Sequence, residues 1–93
     1  MYFQNLSGII PTNKQVEFEQ TFRLVISQMP EGCKSSYIAK DVIRDGVYYI
    51  TFQSDDLQAL RSFTHSSIFI MLVGAFNTLG KLYENNGGEI HLN

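Results

Sequence analysis

Apolar and polar positions change rhythm several times along the chain, and each change marks an element. Residues 2–10, "YFQNLSGII", read as a strand running up to Pro11. Beyond it Val16, Phe18, Phe22, Val25, Ile26 and Met29 fall mostly at three- and four-residue steps. That spacing predicts a helix with one apolar face over "PTNKQVEFEQTFRLVISQM". Thr12, with Gln15 three residues on, matches a capping box at its start. "PEG" at 30–32 ends the helix, and Cys33–Ile43 reads as a second strand. Asp45-Gly46 then predicts a tight hairpin, because glycine tolerates the positive φ of such a turn, and Val47–Phe52 forms the return strand. Ser54 or Asp55 is expected to cap a short helix over Asp55–Phe63. A further helical piece starts at Thr64 or Ser66 and runs to about Tyr83. "ENNGG" reads as a loop and Glu89–Leu92 as a last short strand.

The order β-α-β-β-α-β predicts an α+β, ferredoxin-like domain with a four-stranded antiparallel sheet, occupying residues 1–93 as a single unit. Right-handed crossovers place both helices on one face of that sheet and leave the other face bare. Ile68 to Val73 leaves the second helix little polar surface, so it is expected to pack on more than one side. A homodimer satisfies both conditions.

Composition narrows the function classes. Apolar residues make up 44% of the chain and aromatics 13%, with no Trp, which suits a globular fold. The net charge of −2 gives no basic stripe for nucleic acid. The longest apolar run, Ile68–Phe76, is too short for a bilayer span. The first residues lack the pattern of a signal peptide. One cysteine, Cys33, and two histidines offer neither a disulfide framework nor metal-ligand spacing. The expectation is a cytoplasmic protein with no metal or cofactor, no nucleic-acid partner and no membrane association.

Several residues carry candidate chemistry beside a plainer structural role. Arg61 could neutralise a phenolate or carboxylate, or sit in solvent paired with Asp55 or Asp56. His65 could act as a general base, imidazole being the side chain suited to proton transfer near neutral pH, or mark the break between two helical pieces. A two-residue Asp45-Gly46 turn would set Ala39 opposite Phe52 and Val42 opposite Tyr49. Tyr37, Tyr48 and Phe52 would then share a face as an aromatic pocket for a substrate, or as cross-strand and dimer packing. Cys33 reads as a small buried residue and His91 as an edge or contact residue.

Three segments in order, "PTNKQVEFEQTF", "PEGCKSSYIAKD" and "YYITFQSDDLQAL", give the chain a resemblance to the dimeric α/β-barrel superfamily. Within it, the chain is similar to the antibiotic-biosynthesis-monooxygenase-like domains, over about residues 5–92. The resemblance implies two ferredoxin-like subunits packed sheet to sheet, each with a small pocket between sheet and helices. It also implies oxidation of a small aromatic or quinol-type molecule by O2 without metal or flavin. This sequence departs from the family pattern at three places. Phe52 stands where Trp is frequent, Ile50 where Glu is frequent, and Arg61 where His is frequent. The axial histidine of haem-degrading relatives has no counterpart near Met71. Two readings stay open: a cofactor-independent monooxygenase-like domain with a degenerate motif, and a non-catalytic homodimeric ligand-binding or assembly module.

Overall fold

The computed structural model describes residues 1–91, apart from the side chain of Lys34. Its elements are β1 (Tyr2–Ile9), a 3-10 turn (Thr12–Lys14), α1 (Gln15–Ser27), β2 (Cys33–Lys40), β3 (Val47–Ser54), α2 (Leu57–Thr64), α3 (Ser67–Leu79) and β4 (Lys81–Glu89). The sheet order is β2-β3-β1-β4, antiparallel throughout. This is the ferredoxin-like α+β arrangement, with the second crossover helix broken in two.

One face of the sheet carries the core. Leu6, Tyr48, Ile50 and Phe52 point into it, and α1, α2 and α3 close it with Phe18, Phe22, Leu60, Phe63, Phe69, Leu72 and Phe76. Aromatic rings fill the middle in edge-on and tilted contacts. Phe52 lies 4.9 Å from Phe63 and 6.0 Å from Phe69 between ring centres, while Phe18 bridges Tyr48 at 5.1 Å and Phe76 at 4.5 Å. Phenylalanine supplies the bulk that a chain without Trp needs to fill a small core. On the opposite face Phe3, Asn5, Ser7, Tyr37, Tyr49 and Thr51 are partly or largely exposed. No single helix among the described residues is long and apolar enough to cross a membrane.

The local devices differ from the sequence expectations in instructive ways. No capping box forms at Thr12 and Gln15. Thr12 instead donates to Asp45 at 3.3 Å, and the Gln15 amide reaches back to the Ile10 carbonyl at 3.1 Å. Asp56, rather than Ser54 or Asp55, caps α2 by accepting from the Gln58 and Ala59 amides. Ser54 is buried and donates its hydroxyl proton to the Gly32 carbonyl, tying the end of β3 to the start of β2. Ser66 caps α3 through the Phe69 amide.

Two corrections matter for the site. First, α3 stops at Leu79 and β4 runs from Lys81 to Glu89, so "ENNGG" is strand rather than loop. The expected strand Glu89–Leu92 is only the tail of this element, and Leu92 lies outside the described residues. Gly80 caps the end of α3 and passes so close to β1 that a Cβ there would collide with the Ile9 carbonyl oxygen. Beyond it, backbone pairing with β1 carries Asn85, Asn86, Gly87 and Gly88 into the sheet despite their weak strand propensity. Second, β2 and β3 are joined through Asp41–Gly46, not through a two-residue turn. The Asp41 carboxylate accepts from the Ile43 and Arg44 amides at 2.8 Å each and builds its own turn ahead of Gly46, whose φ is 80°. The register then sets Ala39 opposite Tyr49, Tyr37 opposite Thr51 and Ser36 opposite Phe52.

Candidate active site

The register separates the aromatic residues expected to form one pocket. Tyr37 is 52% exposed and lies on the open face with Tyr49 and Thr51. Tyr48 and Phe52 are 1% and 0% exposed on the helical face. Phe52 is enclosed by Phe63 and Phe69, so it packs the interior rather than walling a cavity.

The Tyr48 hydroxyl is also committed. It donates to Glu19 on α1 at 2.5 Å, and Lys40 joins the pair, 3.5 Å from the Glu19 carboxylate and 5.5 Å from the centre of the Tyr48 ring. Burial, reinforced by the hydrogen bond to an anion, pushes the Tyr48 phenol well above its ordinary pKa. The same hydrogen bond, helped by Lys40, holds Glu19 below the usual carboxylate range. Tyr48 therefore locks α1 onto the sheet and keeps its proton.

His65 ends α2. Its Nδ1 lies 2.8 Å from the Arg61 carbonyl, which can only accept, so Nδ1 carries the proton and the ring caps the helix. The side chain is exposed and is not among the residues that line the cleft beside α2.

Arg61 is placed differently. It sits on the wall of a cleft of about 400 Å³ between α2 and the β1–β4 edge of the sheet. Leu57, Leu60 and Thr64 complete the α2 wall, and Tyr2, Gln4 and Glu89 form the sheet side. Gly87 keeps the floor low, since a Cβ there would run into the Gln4 side chain on the cleft side of the strand. Among the described residues Arg61 makes no side-chain hydrogen bond or ion pair, and the cap role of Asp56 removes one expected partner. A guanidinium with its donors available thus borders a cleft of mixed walls, apolar at Tyr2, Leu57 and Leu60 and polar at Gln4, Thr64 and Glu89. Glu89 contributes the opposite charge, and His91 approaches its carboxylate at 3.5 Å. Gln4 is oriented by donating to Asn85 at 2.7 Å.

Glu89, Tyr2 and Gln4 escaped the sequence reading. Tyr2 and Gln4 do alternate with Leu6 along β1, which placed them on its inner face. Their meeting with Glu89 depends on the pairing Tyr2↔Glu89, which is unreadable until β4 is recognised as a strand.

Of the remaining groups, the half-buried Cys33 thiol is pushed up by burial and then by the Asp56 charge, the reverse of what a reactive thiolate needs. Among the described residues no three His, Cys, Asp or Glu side chains gather as a metal site.

No family model and no curated protein sequence matches the chain. Solved structures do match it over its full length. An antibiotic-biosynthesis-monooxygenase-like protein from Deinococcus radiodurans superposes with a TM-score of 0.83 at 15% identity, covering 100% of this chain and 95% of the other. A conserved protein of unknown function from Bacteroides thetaiotaomicron gives 0.80 at 14% identity, covering 96% of each. SnoaB, a cofactor-independent oxygenase from Streptomyces nogalater, gives 0.75 at 18% identity, covering 99% of this chain and 93% of SnoaB. The chain has the fold of the antibiotic-biosynthesis-monooxygenase-like proteins.

Proposed function

We propose that the chain is a cofactor-independent monooxygenase-like domain that takes a small aromatic or quinol-type molecule into the α2–β4 cleft. The observation that carries this reading is the uncommitted Arg61 guanidinium on the wall of that cleft, facing a strand side that holds Glu89. The likeness in fold to SnoaB supports the reaction class.

The division of labour follows from charge. A phenol or an acidic ring CH₂ group gives its proton to Glu89, and Arg61 holds the oxygen on which the negative charge settles. In the oxidation of an anthrone-type CH₂ group by O2, one oxygen atom becomes the new carbonyl and the other leaves as water. The substrate carbon supplies the electrons. Leu57, Leu60 and the glycine floor receive the ring. Tyr48, Phe52 and His65 take no part, being bound up in packing and capping. Two such domains pack through their open sheet faces as a homodimer, covering Phe3, Tyr37 and Tyr49.

An oxygen electrode with a panel of hydroquinones and anthrones tests the reading. The protein should speed O2 uptake with at least one of them, and Arg61→Met should abolish the increment. No turnover together with no binding of any panel member would favour a non-catalytic module instead.

A further inference from the structure

The sheet side of the α2–β4 cleft carries a side chain held in one orientation. Gln4 lines the cleft from β1, and its Nε2 donates to Asn85 Oδ1 on β4 at 2.7 Å. On its way to Asn85 the side chain passes over Gly87, the residue paired with Gln4 in the ladder. It lies so low there that a Cβ on Gly87 would collide with Gln4 Oε1. Glycine at 87 therefore makes room for the amide, and the bond to Asn85 fixes which way the amide faces.

That orientation leaves a neutral acceptor on the cleft floor. With Nε2 on Asn85, Oε1 rests against Gly87, and among the described residues no donor is bonded to it. An amide oxygen accepts a hydrogen bond without taking the proton, whereas the Glu89 carboxylate beside it in the cleft can do both. On the facing wall the Thr64 hydroxyl is spent on the Arg61 carbonyl at 3.0 Å, so the guanidinium of Arg61 is the donor that α2 offers. Acceptors on the strand side, Gln4 and Glu89, thus stand across the cleft from a cationic donor.

We propose that Gln4 is the specificity-determining residue of this cleft, its Oε1 receiving a hydroxyl on the ring edge opposite the oxygen that Arg61 holds. The cleft then prefers an aromatic hydroxylated on both edges to one that carries a single oxygen. The hydroxyl on Gln4 keeps its proton, because the amide is neutral, and proton loss is confined to the group that faces Glu89. This role rests on the α2–β4 cleft being the ligand site proposed above, and adds to it a selection that neither Arg61 nor Glu89 makes. An acceptor already braced by Asn85 has little freedom to lose when the ligand binds. A ligand without the second hydroxyl leaves that acceptor unpaired, which is how a polar site discriminates against the poorer analogue.

Isothermal titration of the full chain with 2,6-dihydroxynaphthalene and with 2-naphthol, which differ by the distal hydroxyl alone, tests the role. Wild-type protein should bind the diol about tenfold more tightly, as expected when an oriented acceptor finds its donor. Gln4→Met, close to glutamine in volume, should bring the ratio of the two affinities to within about twofold and leave the affinity for 2-naphthol in place. Asn85→Ala keeps the acceptor but removes its brace, and should give a ratio between those two. The ratio is the readout, since a change that only reshapes the cleft moves both ligands together. Equal binding of the two ligands by the wild type, or an unchanged ratio in folded Gln4→Met, overturns the role of Gln4 and leaves the cleft as a site. Binding of neither ligand by the wild type, or binding of both that Arg61→Met leaves untouched, overturns the cleft reading and the role of Gln4 with it.

Discussion

The Tyr48 hydroxyl donates to the Glu19 carboxylate at 2.5 Å, joining the middle of α1 to the start of β3, with Lys40 closing the group from β2. Removing the donor leaves a partly buried carboxylate with one partner fewer. Tyr48→Phe should destabilise the domain by about 1–3 kcal/mol, read from chemical denaturation.

The same contact sets a pH profile. Glu19 is lowered in the folded state, so its contribution is present above the unfolded value of 4.5 and is lost as pH falls through the folded value. Tyr48 is raised above 10.0, so its contribution is present below pH 10 and is lost progressively as pH climbs beyond it. Melting temperature followed across pH should be flat between these limits and fall on both sides. In Tyr48→Phe the alkaline fall should shrink, and the acid fall should weaken with it.

Phe52 belongs to the interior. Phe52→Ala should cost about 3–5 kcal/mol through lost burial and the cavity left between Phe63 and Phe69. The milder Phe52→Leu should lower the melting temperature yet leave ligand affinity within a factor of two or so, within the usual scatter for a residue outside a contact. A large affinity loss in a folded Phe52→Leu variant would return this residue to the pocket wall.

His65 is a cap. His65→Ala removes the bond to the Arg61 carbonyl and should cost about 0.5–1.5 kcal/mol. Oxygen uptake per folded molecule should be unchanged. A tenfold loss of turnover with stability intact would mark it as a base after all.

How far the sequence could be read follows from which forces fix each element. The apolar spacing of Phe18, Phe22 and Val25 reports α1 directly, because burial in the core selects those positions. The strand order follows from element order and crossover handedness. β4 was hidden because its exposed edge is held by main-chain bonds to β1, and its Asn and Gly side chains carry no periodic signal. A two-residue turn puts Tyr37 on the wrong face, because Asp41 forms a side-chain turn that lengthens the connection. One residue of register exchanges the faces of a strand. Arg61 needed only its place on an exposed helix flank to be legible, whereas Glu89 needed the register of an unrecognised strand.

The open sheet face supplies an association test of its own. Thr51 lies near its centre, partly exposed and donating to Asn5 at 2.8 Å. Thr51→Lys should leave the monomer fold intact and shift sedimentation toward the monomer mass. A dimer that survives Thr51→Lys unchanged would rule out sheet-face pairing.

The proposed role of Arg61 is to make the α2–β4 cleft a site for an anionic aromatic. Isothermal titration of a dihydroxyanthraquinone into wild-type and Arg61→Met protein addresses it directly. Arg61 is exposed and carries no structural bond, so the variant should melt within about 0.5 kcal/mol of wild type. Its affinity should drop by tenfold or more, the loss expected on removing a charge-assisted contact of about 1.5–3 kcal/mol. Equal affinity in the two proteins, or no binding to either, would contradict that role for Arg61.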